Sequence, residues 1–246
     1  MKKISKILIT CLLLVSMLVT AVPSGAKAAA KSKVAVPTSI VRSYIAEDTG
    51  EASPYTVDYK IKYDKNGRIK KITSVSHITD SEWTTTFTYK KSGKNTKVTA
   101  RQDTSWGEDA DTYTYKFDKL GRPLSSHKSS KWECGFLDDS KDTLYASADD
   151  AYLLFFNKKG QYTEACDFYD GKVGALSYYF YEKGKLTSRS CYAFEDNVQL
   201  ADISDELLEG LEPSIYLYKT KTTKKSVTDS VKWMNVILLY DFIYCE

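Results

Sequence analysis

Large apolar and polar side chains alternate along much of this chain, and the alternation keeps reversing at glycine. In Tyr59-Lys60-Ile61-Lys62-Tyr63 every second side chain is large and apolar; the chain then reaches Asn66-Gly67, and the pattern resumes at Ile69. Period-two alternation is the mark of a half-buried strand. Asn-Gly between two such runs marks a tight hairpin, because both residues tolerate the positive φ that the turn needs. The unit recurs as Tyr113-Thr114-Tyr115-Lys116-Phe117 before Gly121, and more loosely as Phe87-Thr88-Tyr89 before Gly93 and Tyr152 to Phe156 before Gly160. Asp170-Gly171 and Lys183-Gly184 mark two tighter turns. The pattern predicts an all-β fold: an antiparallel meander of repeated hairpins, curled toward a half-barrel, with its first strand over 38–46.

Three regions break the alternation. Residues 128–150 are polar and acidic and read as a long connection. Residues 202–211 read as a short helix: Ser204 can cap it, Asp205 and Glu206 fill its first turn, and Ile203, Leu207, Leu208 and Leu211 share a face. Such a helix would plug one end of the sheet. The apolar run 231–244 reads as a closing strand, with a helix as the alternative.

Composition supports strands, since the chain holds 19 Tyr and 9 Phe and such rings suit a pleated, half-buried surface. Their simplest role is to form the core. A second role, stacking on sugar rings, makes Trp83, Trp106, Trp132 and Tyr178 the candidate ligand contacts.

The N-terminus changes the picture of charge and location. Lys2, Lys3 and Lys6 precede an apolar run from Ile7 to Val22, and Ala26-Lys27-Ala28-Ala29-Ala30 follows a Pro-Ser-Gly break. This is the layout of a cleavable secretory signal peptide over 1–30, leaving a single β-repeat domain over 31–246. The segment holds four lysines and no acid, so its loss turns the formal +3 into −1. A near-neutral chain with lysines scattered among Thr, Ser and Asp predicts no nucleic-acid partner. No later run is long and apolar enough for a membrane span after cleavage. Cys134, Cys166, Cys191 and Cys245 remain, an even number that permits two disulfides in an exported protein, with buried free thiols the alternative. In a meander, Cys166 and Cys191 sit two strands apart, too far for a disulfide.

Tyr63-Asp64-Lys65-Asn66-Gly67-Arg68-Ile69 resembles the YD repeat of the RHS-like families, as does Phe117-Asp118-Lys119-Leu120-Gly121-Arg122. The copies ending at Gly93 and Gly160 keep the turn but lose Asp or Arg. The resemblance implies an exposed β surface on an exported protein, suited to binding carbohydrate; too few copies are present to imply an enclosing shell. Tyr178-Tyr179-Phe180-Tyr181-Glu182-Lys183-Gly184 is similar to the aromatic hairpins of cell-wall and glucan-binding repeats, without their tryptophans.

Candidate chemistry is thin. His77 and His127, the two histidines, fall at unequal offsets from their turns and make no pair. Cys134 has no peptidase signature around it. Asp138, Ser140 and Asp142 alternate like the start of a calcium loop, but Thr143 stands where the sharp-turn glycine belongs and Asp149 where the closing Glu belongs. Asp64 and Asp118 read as turn formers rather than catalytic carboxylates. The expectation is an exported binding module, not an enzyme and without a cofactor, engaging a cell-wall glycan, another surface polymer or a protein. A structural protein assembling through open sheet edges is the alternative.

Overall fold

A computed structural model describes residues 30–45, 50–104, 110–127, 131–136, 143–146, 150–157 and 161–244. The expected antiparallel meander forms, and its curl runs past a half-barrel to a closed ring. The strands are β1 (Ser32–Ile45), β2 (Ala52–Tyr63), β3 (Ile69–Ser76), β4 (Ser81–Ser92), β5 (Asn95–Thr104), β6 (Asp111–Phe117) and β7 (Pro123–His127). They continue as β8 (Lys131–Phe136), β9 (Thr143–Ala146), β10 (Asp150–Phe156), β11 (Tyr162–Tyr169), β12 (Lys172–Glu182), β13 (Lys185–Val198) and β14 (Ser214–Val227). Each pairs with its neighbour in sequence, and β1 closes the ring by pairing with β14 over a long register that includes Ser32↔Val227 and Tyr44↔Tyr216. Every described strand is paired on both sides, so the ring offers no open edge.

Two expectations change. Residues 128–150 include β8 and β9, which complete the wall; their runs of six and four residues are too short to stand out from the polar connections around them. Residues 231–244 are not a strand. Helix α2 (Asp229–Leu239) continues as a π-helical turn over Tyr240–Tyr244. Thr228 caps its N-terminus, accepting from the Val231 amide at 3.3 Å. The first strand also begins earlier than expected, at Ser32.

The placement of α2 explains its composition. Phe242 meets Phe87 on β4 and Tyr113 and Tyr115 on β6, with ring centres 5.2, 5.6 and 6.2 Å away. Tyr240 and Tyr244 meet Tyr162 on β11 at 5.6 and 5.4 Å, and Tyr244 meets Tyr218 on β14 at 5.6 Å. One helix touching opposite walls lies inside the barrel. Eight strands leave an interior that side chains alone can fill, whereas fourteen leave room for a helix about 10 Å across. Because most of α2 is covered, with Val231, Trp233, Met234, Ile237, Leu238 and Leu239 all buried, its apolar residues spread well beyond one narrow stripe.

The short helix forms as expected, as α1 (Asp205–Glu209), with the Ser204 side chain accepting from the Leu207 amide at 3.1 Å. It plugs nothing. A 3-10 turn over Leu200–Asp202 and α1 cover the outside of β10–β13, where Leu153, Phe155, Cys166, Leu176 and Phe194 form a second apolar cluster with Ile203, Leu207 and Leu208. That wall is apolar on both faces; the rest is not.

Candidate functional site

Two glycines show how the repeat turns and the plug are built together. Asp64 Oδ1 accepts from the Asn66 and Arg68 amides at 2.8 and 3.0 Å, and Asp64 Oδ2 accepts from Arg68 Nε at 2.7 Å. Asp118 repeats this with Leu120 and Arg122 at 2.8, 2.9 and 2.7 Å. The aspartates therefore act as the turn formers expected. Burial alone would raise the Asp64 pKa, but the bonds from Arg68 and Asn66 outweigh it and hold the carboxyl below the usual range.

A third, neutral copy of the clasp went unread in the sequence. Asn157 Oδ1 accepts from the Gln161 amide at 3.1 Å, and Asn157 Nδ2 donates to Gln161 Oε1 at 3.1 Å. Asn and Gln stand where the other copies have Asp and Arg. The offset of four residues was the available signal.

Gly67 and Gly121 have φ of +77° and +82°, and a Cβ at either would overlap the segment entering the lumen: Val227 in the first case, the Ser230 backbone in the second. Gly93, Gly171 and Gly184 have open space around them. Thus the two best repeat turns form the mouth through which the helix passes. Asn235 locks it there, donating to the Gly67 carbonyl at 2.8 Å and accepting from the Ile69 amide at 3.1 Å. At the other end of the plug Arg42 donates to the Ile243 carbonyl at 3.2 Å and Arg189 to the Tyr244 carbonyl. These carbonyls are among those a helix end leaves without partners.

Arg189 and Asp167 are the charged groups of the inner wall with most at stake. Arg189 is buried, lies 4.2 Å over the Tyr216 ring, and its Nε has no hydrogen-bond partner among the described residues. Asp167 Oδ1 is likewise buried without one. Burial pushes the Asp167 carboxyl up to about 6, against the opposing pull of Arg189. A carboxyl whose pKa rises on folding from an ordinary 3.8 favours its neutral form, so stability is lost as pH climbs from about 4 through about 6. Asp167→Asn is therefore expected to match the wild type below pH 4 and to exceed it by about 3 kcal/mol at pH 7. Urea denaturation at both pH values checks this, and an equal difference at the two would contradict it.

The remaining sequence candidates are not brought together. Trp83 is half-buried on the inward alternation of β4, with Thr85 and Phe87. Tyr178 is half-buried on the outer side of β12, its ring edge-on to Tyr192 at 6.1 Å and packed against the second cluster. Trp132 lies on β8, paired in register with Ser126; its side chain, and Trp106, lie outside the described residues. His77 sits beside Asp58, Nε2 to Oδ2 3.5 Å, while His127 is on β7, paired with Thr114. Cys134 pairs with Tyr145 in register. Neither Cys166 nor Cys191 is in a disulfide; Cys166 packs in the outer cluster, whereas Cys191 shares the inward alternation of Arg189. Asp138, Ser140, Asp142, Asp149 and Cys245 lie outside the described residues. Among the described residues no group of three or more His, Cys, Asp or Glu is placed to hold a metal ion.

The outer face of β2–β6 is polar. Its cross-strand rows read Lys60-Thr73-Thr84-Asp103, Lys62-Lys71-Thr86-Arg101-Thr112, Thr88-Thr99-Thr114 and Lys90-Lys97-Lys116. A membrane-spanning barrel puts apolar side chains outside and polar ones within; this wall does the reverse. No helix among the described residues is long and apolar enough to cross a membrane.

Register also sorts charge. In an up-and-down barrel alternate turns lie at alternate ends. Among the described residues, the end where the plug enters carries exposed lysines at 31, 33, 65, 91, 94, 119, 183, 185 and 224, against exposed Glu182 and Asp229. Among the described residues, the opposite end carries exposed Glu51, Asp80, Glu82, Asp111, Asp170, Glu195, Asp196, Asp202, Asp205, Glu206, Glu209 and Glu212, against exposed Lys172. Lysines scattered in the sequence thus gather at one rim.

No family model matches the chain, and no curated protein does. Among solved structures, a porin-like protein from Bacteroides uniformis ATCC 8492 is similar over 75% of this chain and 98% of its own, at 9% identity and a TM-score of 0.35. A likeness at that level carries no argument about this chain.

Proposed function

We propose that this chain is an exported, non-catalytic binding module whose working surface is the outside of the barrel, above all the lysine-rich rim, engaging a polymer of the cell surface. One observation carries the reading: the lumen is occupied by the chain's own helix, while charge on the outside is segregated by end. A filled barrel with a lysine- and threonine-rich outer wall has its free chemistry on its exterior. The two YD-like turns support the same reading by building a rigid mouth rather than a reactive site. The secretory leader expected over 1–30 places the module where surface polymers are met.

The test is sedimentation of the leader-free protein with isolated bacterial wall and envelope fractions at low and high salt. Depletion from the supernatant at low salt, reversed by salt, is expected. Protein that stays in solution with every fraction at low salt would sink the reading.

A further inference from the structure

Resting on that reading, we infer that the lysine rim takes a linear polymer of phosphate charges, with the row Lys90-Lys97-Lys116 as its central contact. Three arguments carry this. First, the row is electrostatically costly. Lys90 faces Lys97 and Lys97 faces Lys116 directly across adjacent strands, on the outward side; like charges so placed destabilise a sheet. An anion laid along the row relieves that repulsion.

Second, the geometry suits a chain of charges rather than a single group. Neighbouring strands are about 4.8 Å apart, so the row presents ammonium groups at intervals of that order. Exposed Lys65, Lys94 and Lys119 extend it along the rim on successive turns. The lysines line the rim instead of converging on a pocket.

Third, the residue type fits phosphate. The two arginines of this rim, Arg68 and Arg122, are engaged by Asp64 and Asp118. What is left is lysine, which binds phosphate as a point charge that a tetrahedral group can meet from any direction. Among the described residues, Leu120 is the large apolar side chain exposed at the turns of this rim, too little for insertion into a bilayer. The described rim turns also lack the stacking rings that single-stranded nucleic acid uses.

The probe is long-chain inorganic polyphosphate, titrated against the leader-free protein across a salt series. The triple variant Lys90→Gln, Lys97→Gln, Lys116→Gln is expected to bind at least about tenfold more weakly, with a salt slope shallower by about 2. A control with the same loss of charge elsewhere, Lys172→Gln, Lys219→Gln, Lys221→Gln, is expected to keep most of the affinity. Lys97→Gln alone is expected to raise the melting temperature while weakening binding, a combination that a misfolded variant cannot give. Equal losses in the two triple variants would overturn the inference, as would equal or tighter binding to a carboxylated polysaccharide, anionic vesicles or single-stranded DNA. Wild-type protein that sediments with wall fractions yet ignores polyphosphate would overturn it while leaving the binding-module reading intact. Protein that binds neither would end both.

Discussion

Gly121→Ala is expected to destabilise the protein by about 3–5 kcal/mol, while Gly184→Ala costs only about 1–2. Both glycines sit at tight hairpin turns, with nearly equal φ of +82° and +79°. Alanine strains the backbone equally at the two sites. They differ in what a methyl group meets: open space at Gly184, and the carbonyl and Cα of Ser230 at Gly121. Backbone cannot swing aside as a side chain can, so the start of α2 must shift or the turn must open. Urea unfolding of the two variants side by side separates local strain from displacement of the plug. Equal losses at the two positions would show that the helix is not seated against this turn.

Phe242→Ala is expected to cost about 3–5 kcal/mol, a large share of the 5–15 kcal/mol that holds a typical domain together. The Phe242 ring is 3% exposed and makes edge contacts with rings from β4 and β6. Little can collapse into the vacancy, because the surrounding wall is a hydrogen-bonded ring whose radius is set by strand number. Thermal unfolding with a near-ultraviolet dichroism readout checks both the loss and the loosening of the tyrosine cluster. A cost below about 1 kcal/mol would mean that the lumen does not depend on the plug.

Much of this architecture could be read before any coordinates, and what was hidden has physical reasons. Alternation at Tyr59, Ile61 and Tyr63, with glycine marking the reversals, is local, so the meander was legible; so was the Ser204 cap. That the rings serve mainly as core was the simpler of two readings, and Tyr59 and Tyr115 are fully buried. Closure was not legible, since the pairing of β1 with β14 joins residues at opposite ends of the domain. The plug was misread because a largely buried helix and a buried strand both show a mostly apolar run that periodicity does not tell apart. The lysine rim was invisible for a different reason: regular spacing along the chain becomes clustering in space only once every second turn is folded to the same end. Asn157 and Gln161 hid because the clasp had been defined by charge, whereas its geometry needs only an acceptor and a donor four residues apart.

The ring closes between its first strand and its last, and the plug lies beyond that last strand. Residues 32–45 therefore wait for 214–227 before their second set of backbone partners exists, and the inward tyrosines of β2–β6 wait longer still, for 229–244. The hairpins are local, but the closure of the ring and the seating of the plug join distant parts of the chain, and such contacts form slowly. An open trough lined with aromatic rings is an aggregation hazard while it lasts. The late arrival of its central helix makes the time spent in that trough, rather than the stability of the finished barrel, the quantity that decides how much of this protein is recovered in soluble form.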